Sequence, residues 1–172
     1  KSTRMLSLKS KILFKISAEP IIQHVYKAAR KIKSNDIICV LSNPPEELTK
    51  FIKENNIKSA LQKKPSGTAD AVKSALKKIP SKRNNNILIL CGDVPFISSQ
   101  SLNIMIKKLS QSDLCLGTFN QANPKGYGRV IRDGNKVIKI VEEKDASENI
   151  KKVTEINTGI ICIKEHVLRK YI

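Results

Sequence analysis

Residues 87–97 read ILILCGDVPFI: four β-prone apolar residues, Ile87-Leu88-Ile89-Leu90, run into Cys91-Gly92-Asp93-Val94-Pro95. An apolar run of this length predicts a buried strand, and the Gly-Asp-Val-Pro after it predicts a tight exit turn. An acid at that point faces the crevice of an open α/β sheet, where ligands bind outside the carboxyl ends of the strands. The position favours a divalent cation that meets a phosphorylated substrate. The alternative for Asp93 is local: a turn former, or the N-cap of the next helix.

Outward from this stretch, helix and strand patterns alternate. Pro20 predicts the start of a helix whose apolar residues Ile21, Ile22, Val25, Ala28, Ala29 and Ile32 recur at spacings of three and four. Residues 37–41 predict a strand, 45–54 a helix and 57–61 a short strand. Thr68 is expected to cap a helix carrying Ala69, Val72, Ala75, Leu76 and Ile79, ended by Pro80. After the Asp93 strand come a helix over 99–109 and a strand over 114–118. Such alternation predicts an α/β, doubly wound, mostly parallel sheet with helices on both faces. The last third departs from it: 130–132, 137–141 and 155–163 are strand-like, and Asp133-Gly134-Asn135 predicts a hairpin turn, so an antiparallel excursion is expected there. The chain opens on the polar Lys1-Ser2-Thr3-Arg4, so the first core strand of such a sheet is expected to be missing.

With 172 residues, one domain is expected. The 32 Lys+Arg against 15 Asp+Glu give +17, a balance that invites a nucleic-acid or membrane-surface partner. The lysines, however, are spread along almost every predicted helix, and aromatic residues make up 4%, too few for the stacking platforms of a single-strand binder. A solvated Lys-rich surface accounts for the charge, and no specific nucleic acid or membrane partner is expected. Cys39, Cys91, Cys115 and Cys162 each lie in or beside an apolar run without CxxC spacing, as small buried hydrophobes of a reducing cytoplasm would. His24 and His166 fall on helix-like segments with no second ligand nearby.

Five strings carry chemistry, each with a plainer alternative. Arg4, in Ser2-Thr3-Arg4-Met5, and Lys11 are two cations that could clamp phosphates, or ordinary surface charge. Gln62 with Ser66-Gly67-Thr68 forms a loop into a helix N-terminus that could read a base edge, or simply cap the helix. Gly126-Tyr127-Gly128-Arg129 suits close packing of backbone against a sugar or ring, or a turn or bulge. Glu142 could accept from sugar hydroxyls or solvate a strand end. Asn157, within Glu155-Ile156-Asn157-Thr158-Gly159, needs hydrogen-bond partners, from a ligand or from the fold itself.

In order and spacing these strings resemble one family along essentially the whole chain: the N-terminal uridyltransferase domain of bacterial bifunctional N-acetylglucosamine-1-phosphate uridyltransferase / glucosamine-1-phosphate acetyltransferase. STRM with Lys11 resembles the end of its LAAGxGTRM…PK signature, SGTADAV its LGTxHAV and CGDVP its YGDVP, while GYGR, IVEEKDA and EINTGI match nearly letter for letter. The resemblance implies a Rossmann-like nucleotidyltransferase fold and a reaction in which UTP and N-acetylglucosamine 1-phosphate give UDP-N-acetylglucosamine and pyrophosphate with Mg2+. Carried over position by position, Arg4 and Lys11 would stabilise the triphosphate and the transferring phosphate. Gln62, Gly67 and Thr68 would hold the uracil, and Cys91, Gly92 and Asp93 would line the nucleotide site, with Asp93 as the metal ligand. Gly128, Glu142 and Asn157 would hold the amino sugar and ribose. In-line attack on an α-phosphorus needs positioning and charge neutralisation more than acid or base catalysis, which suits this set.

The pattern also has departures. Ser2, Ser10, Pro65, Asp70 and Cys91 stand where the family usually has Gly, Pro, Gln, His and Tyr. The segment is expected to be incomplete at both ends, without the acetyltransferase β-helix, and weakly active or inactive by itself. The alternatives are another sugar-1-phosphate nucleotidyltransferase of the same fold and a non-catalytic basic binding domain or remnant.

Overall fold

The computed structural model describes residues 10–34, 36–63, 66–81 and 85–172. In chain order the elements are β1 (Lys15–Ile16), β2 (Glu19–Pro20), α1 (Ile21–Lys31), β3 (Ile38–Leu41), α2 (Glu46–Glu54), β4 (Lys58–Leu61) and α3 (Thr68–Leu76). They continue with β5 (Asn86–Ile89), α4 (Ser99–Lys108), β6 (Leu114–Asn120), β7 (Arg129–Asp133), β8 (Lys136–Val141), α5 (Glu148–Lys151), β9 (Glu155–Lys164) and α6 (Glu165–Tyr171). Short 3-10 turns cover Lys11–Leu13 and Glu143–Asp145.

Parallel and antiparallel pairings are mixed. β3 and β4 pair in parallel, with Ile38 opposite Lys58 and Leu41 opposite Leu61. β9 runs antiparallel between β5 and β6, with Cys162 opposite Leu88 on one side and Cys115 on the other. β7 and β8 form the expected hairpin, joined to β9 where Arg129 meets Ile156.

The unbroken apolar run of β5 follows from helices on both faces. Leu88 and Leu90 pack with Ala28 of α1 and Leu102, Met105 and Leu109 of the α4 region, whereas Ile87 and Ile89 pack with Val72 and Leu76 of α3 and Leu168 of α6. β9 splits in the same way, Ile160 and Cys162 to the first face and Ile161 and Ile163 to the second. This is the period of two of a strand, satisfied by two apolar layers at once. α2 covers β3 through Leu48 and Ile52, which meet Cys39 and Leu41. Leu102 is fully buried, so Leu102→Ala would cost about 2–5 kcal/mol.

Two local details differ from expectation. The cap of α3 is Gly67, whose φ of 113° only glycine adopts freely, and Thr68 is the first helical residue. A hairpin, β1–β2, precedes α1 and turns through Ser17 and Ala18 at φ 50° and 69°. Both turn positions need φ > 0 without glycine or asparagine, so the usual hairpin signal is absent from the sequence.

A cavity of about 1420 Å³ lies between the β3–β4 pair and the larger sheet. Ile38, Val40 and Leu41 line it on one side, Ile87, Leu88 and Ile89 on the other, and α1 and α3 lie above and below. Its rim carries Ser10, Lys11, Thr68, Cys91, Gly92 and Asp93.

Candidate functional site

β5 ends at Ile89, and the chain turns at Gly92-Asp93 before α4. The N-cap of α4 is Ser98, whose Oγ accepts from the Ser101 N–H at 3.0 Å, so Asp93 does not cap that helix. Its carboxylate instead forms an ion pair with the Lys11 ammonium, both side chains remaining partly exposed. Gly92 fits tightly over α1, because a Cβ there would meet Ile22 Cδ1 at 3.2 Å. The strand end and the 3-10 turn at Lys11 thus bring one acid and one cation together at the mouth of the cavity. Arg4 and the Ser2-Thr3-Met5 string lie outside the described residues, as does Pro65.

The loop before α3 is organised by Gln62. This buried side chain donates from Nε2 to the Gly67 carbonyl at 3.2 Å and to Asp70 Oδ2 at 2.7 Å, while its backbone N–H donates to the Leu41 carbonyl at 2.8 Å. The amide donors of Gln62 are therefore spent on the loop itself. Gly67 and Thr68 remain exposed, and nothing lies within 4 Å of the place a Gly67 side chain would take. This leaves free backbone at a helix N-terminus, a surface that favours anionic or hydrogen-bonding groups.

Gly128, just before β7, Glu142, just after β8, and Asn157 of β9 come together. The Asn157 N–H donates to the Gly128 carbonyl at 2.8 Å, and a Cβ on Gly128 would meet Glu142 Oε1 at 3.2 Å. Asn157 opens a bulge in β9: opposite β6 the register jumps from Ile161 to Asn157, with Gly159 at φ 76° and the Thr158 hydroxyl donating to the Gly117 carbonyl at 2.6 Å. Asn157 Oδ1 accepts from the Gly159 N–H at 3.0 Å. Gly159 also packs against Cys91, whose Sγ lies 2.9 Å from where a Cβ would be. That contact ties the strand-end cluster to the Asn157 cluster through β9. Burial pushes the Cys91 thiol up, the Asp93 charge adds to the effect and Lys11 opposes it.

Two residues outside the expected site organise this edge. Arg129 is 1% exposed and pairs with Glu143 at 2.7 Å, while Glu143 Oε2 also accepts from the Gly126 N–H at 3.0 Å. The Gly126 bond and the Arg129 guanidinium hold the Glu143 carboxyl below its usual range. Their signal in the sequence is adjacency: in GYGR and VEEKD each charged partner immediately follows an expected site residue, Gly128 or Glu142.

As a set, the clusters supply one half-exposed carboxylate, one ammonium, open backbone at a helix start, and a neutral and an acidic hydrogen-bonding side chain. No group of three His, Cys, Asp or Glu side chains able to hold a metal occurs among the described residues. A single carboxylate fits Mg2+, which is usually held by one or two carboxylates with substrate phosphates and water completing its shell. Among the described residues no helix is long and apolar enough to cross a membrane.

Residues 4–172 match the model of the nucleotidyl transferase family. The bifunctional protein GlmU of Buchnera aphidicola subsp. Acyrthosiphon pisum is 40% identical over 172 residues, and that of Francisella tularensis subsp. novicida is 36% identical over 173. Each alignment covers 100% of this chain and 37% of the relative, so the chain spans little more than a third of the relatives' length. Among solved structures, a Bacillus anthracis protein described as a glucose-1-phosphate thymidylyltransferase superposes with a TM-score of 0.76 at 17% identity, covering 96% of this chain and 67% of that one. UDP-glucose pyrophosphorylase in complex with UDP-glucose superposes with a TM-score of 0.72 at 14% identity, covering 97% and 74%. The fold is the mixed α/β, Rossmann-like fold of nucleotidyltransferases, and the chain belongs to the nucleotidyl transferase family.

Proposed function

We propose that this chain carries the uridylyl-transfer site for UTP and N-acetylglucosamine 1-phosphate, yielding UDP-N-acetylglucosamine and pyrophosphate. The carrying observation is the meeting of Lys11 and Asp93 at the end of β5 in a chain up to 40% identical to GlmU proteins along its whole length. In this reading an oxygen of the sugar phosphate attacks the α-phosphorus of UTP, a new P–O bond forms, and the bond to pyrophosphate breaks. Lys11, together with Arg4, neutralises charge on the phosphates, and the open backbone at Gly67-Thr68 receives the base. Glu142 accepts from sugar hydroxyls, and Gly128 and Asn157 set how closely the sugar and ribose approach. Cys91 and Gly92 line the nucleotide side. Asp93 would hold Mg2+, which when bound would neutralise the triphosphate charge. Positioning of two anionic reactants is the main demand of such a step, and these residues meet it.

Pyrophosphate release from UTP, N-acetylglucosamine 1-phosphate and Mg2+ tests the reading. Slow release by the chain and its loss in Asp93→Ala are expected. Equal activity in Asp93→Ala would remove the metal role, and faster release with dTTP and glucose 1-phosphate would reassign the substrate.

A further inference from the structure

Arg129 sits at the meeting point of β7, β8 and β9, beside Gly128, Glu142 and Asn157. Its register partners are Val141 on β8 and Ile156 on β9. Each is the residue immediately before one of the other two, and Gly128 immediately precedes Arg129 itself. The side chain is 1% exposed, which for a guanidinium is costly unless it is paired and hydrogen-bonded.

The pairing reaches three separate pieces of chain. Nη1 donates to the Tyr127 carbonyl, and Nη2 donates to the Lys151 carbonyl at 3.4 Å and pairs with Glu143 at 2.7 Å. Glu143 in turn accepts from the Gly126 N–H at 3.0 Å. The turn before β7, the 3-10 turn after β8 and the end of α5 are therefore tied to one buried cation. Among the described residues Nε has no hydrogen-bond partner although it is buried, so the arrangement leaves one donor unsatisfied. A position selected for stability alone would be better filled by an apolar side chain.

We propose that Arg129 and Glu143 form a clasp that fixes the spacing of Gly128, Glu142 and Asn157, and so sets affinity for the sugar of a sugar nucleotide without touching it. The inference rests on the reading of those three residues as the sugar side of the site. Both members of the clasp are positioning residues. Lysine cannot replace Arg129, because an ammonium lacks the planar fork that spans Tyr127, Lys151 and Glu143 together.

The test is calorimetric binding of UDP-N-acetylglucosamine and, separately, of UTP, each with Mg2+, to the unaltered chain and to Arg129→Lys, Arg129→Met, Glu143→Gln and Glu143→Ala. Displacements of under an ångström to one ångström are expected to weaken sugar-nucleotide binding about 10- to 100-fold in Arg129→Lys and Glu143→Ala, leaving UTP binding within about twofold. Glu143→Gln keeps both acceptor roles and restores most of the affinity. Should Arg129→Met fail to fold, the partly exposed Glu143 still carries the comparison. Parallel loss for both ligands would reduce the pair to a structural role and overturn the clasp, as would unchanged sugar-nucleotide binding in Glu143→Ala. If the unaltered chain prefers dTDP-glucose, the substrate reading fails while the clasp is still tested by the same ratio with that ligand. Binding of no sugar nucleotide by the unaltered chain would overturn both.

Discussion

Lys11 and Asp93 lie 82 residues apart in sequence and form an ion pair at the carboxyl end of β5. Among the described residues neither forms another ion pair, and both side chains stay partly open to solvent. In the proposed reading the ammonium therefore occupies the carboxylate that would hold Mg2+.

That competition gives two substitutions opposite effects on metal binding and the same effect on turnover. Lys11→Met frees the Asp93 carboxylate and should tighten Mg2+ binding to the ligand-free chain, whereas Asp93→Asn should weaken it. If the chain works as proposed, both should lower pyrophosphate release, on the order of 10²- to 10³-fold, because one loses the cation that would face the transferring phosphate and the other the carboxylate that would hold Mg2+. Magnesium titration calorimetry with a release assay checks the pair of signs. A Lys11→Met chain that binds Mg2+ more weakly would remove the competition.

Gln62 offers a test of the loop that leads into α3. Gln62→Leu removes the donors to the Gly67 carbonyl and to Asp70 Oδ2, and leaves a carboxylate facing an apolar side chain. A loss of about 1–3 kcal/mol in stability is expected, read from denaturant midpoints. Asp70→Asn in the Gln62→Leu background should recover part of it, since the uncharged amide is less costly without its partner. No recovery would mean that the Gly67 contact carries the effect.

Much of the doubly wound part was legible because its helices show their buried faces at spacings of three and four and β5 is apolar on both faces. Ile22, Val25, Ala28 and Ala29 are the buried residues of α1, as their spacing predicted. The partners of β9 were not legible, since insertion of a strand between β5 and β6 is decided by non-local packing and leaves no local mark. The β1–β2 hairpin was missed because Ser17 and Ala18 take positive φ without the usual turn residues. At the site, the letters of GYGR and VEEKD drew attention to Gly128 and Glu142. The pairing of Arg129 with Glu143 depends on burial and on a turn, and neither is visible in residue order.

Acid should unmask the Arg132–Glu155 pair. Arg132 donates from Nε and Nη2 to the two Glu155 carboxylate oxygens, each at 2.7 Å, and this holds the Glu155 carboxyl below its usual range. A lowered folded pKa means the contribution to stability is complete above the unfolded value of about 4.3 and is lost as pH falls through the folded value. Melting temperatures from pH 7 down to pH 3 should therefore converge for the unaltered chain and Glu155→Gln at the acid end. A constant gap across that range would mean that the pair contributes nothing that titrates.

The thiols supply the opposite sign. Burial pushes Cys39 and Cys162 up to about 11, against about 8.5 in an unfolded chain. Raised folded values mean that their contribution to stability is complete below about pH 8.5 and is lost as pH rises toward the folded values. Because the thiolate is the nucleophile, both should alkylate slowly at pH 8 in the native chain and rapidly in denaturant. Cys91 is the informative case, since its thiol is raised by burial and by the Asp93 charge, with Lys11 opposing. Asp93→Asn should speed its modification by iodoacetamide and Lys11→Met should slow it, as followed by mass spectrometry of the labelled peptides. UTP with Mg2+ should protect Cys91 while leaving Cys115 unchanged. Equal protection of both cysteines would point to a general tightening of the fold and would remove Cys91 from the nucleotide side of the site.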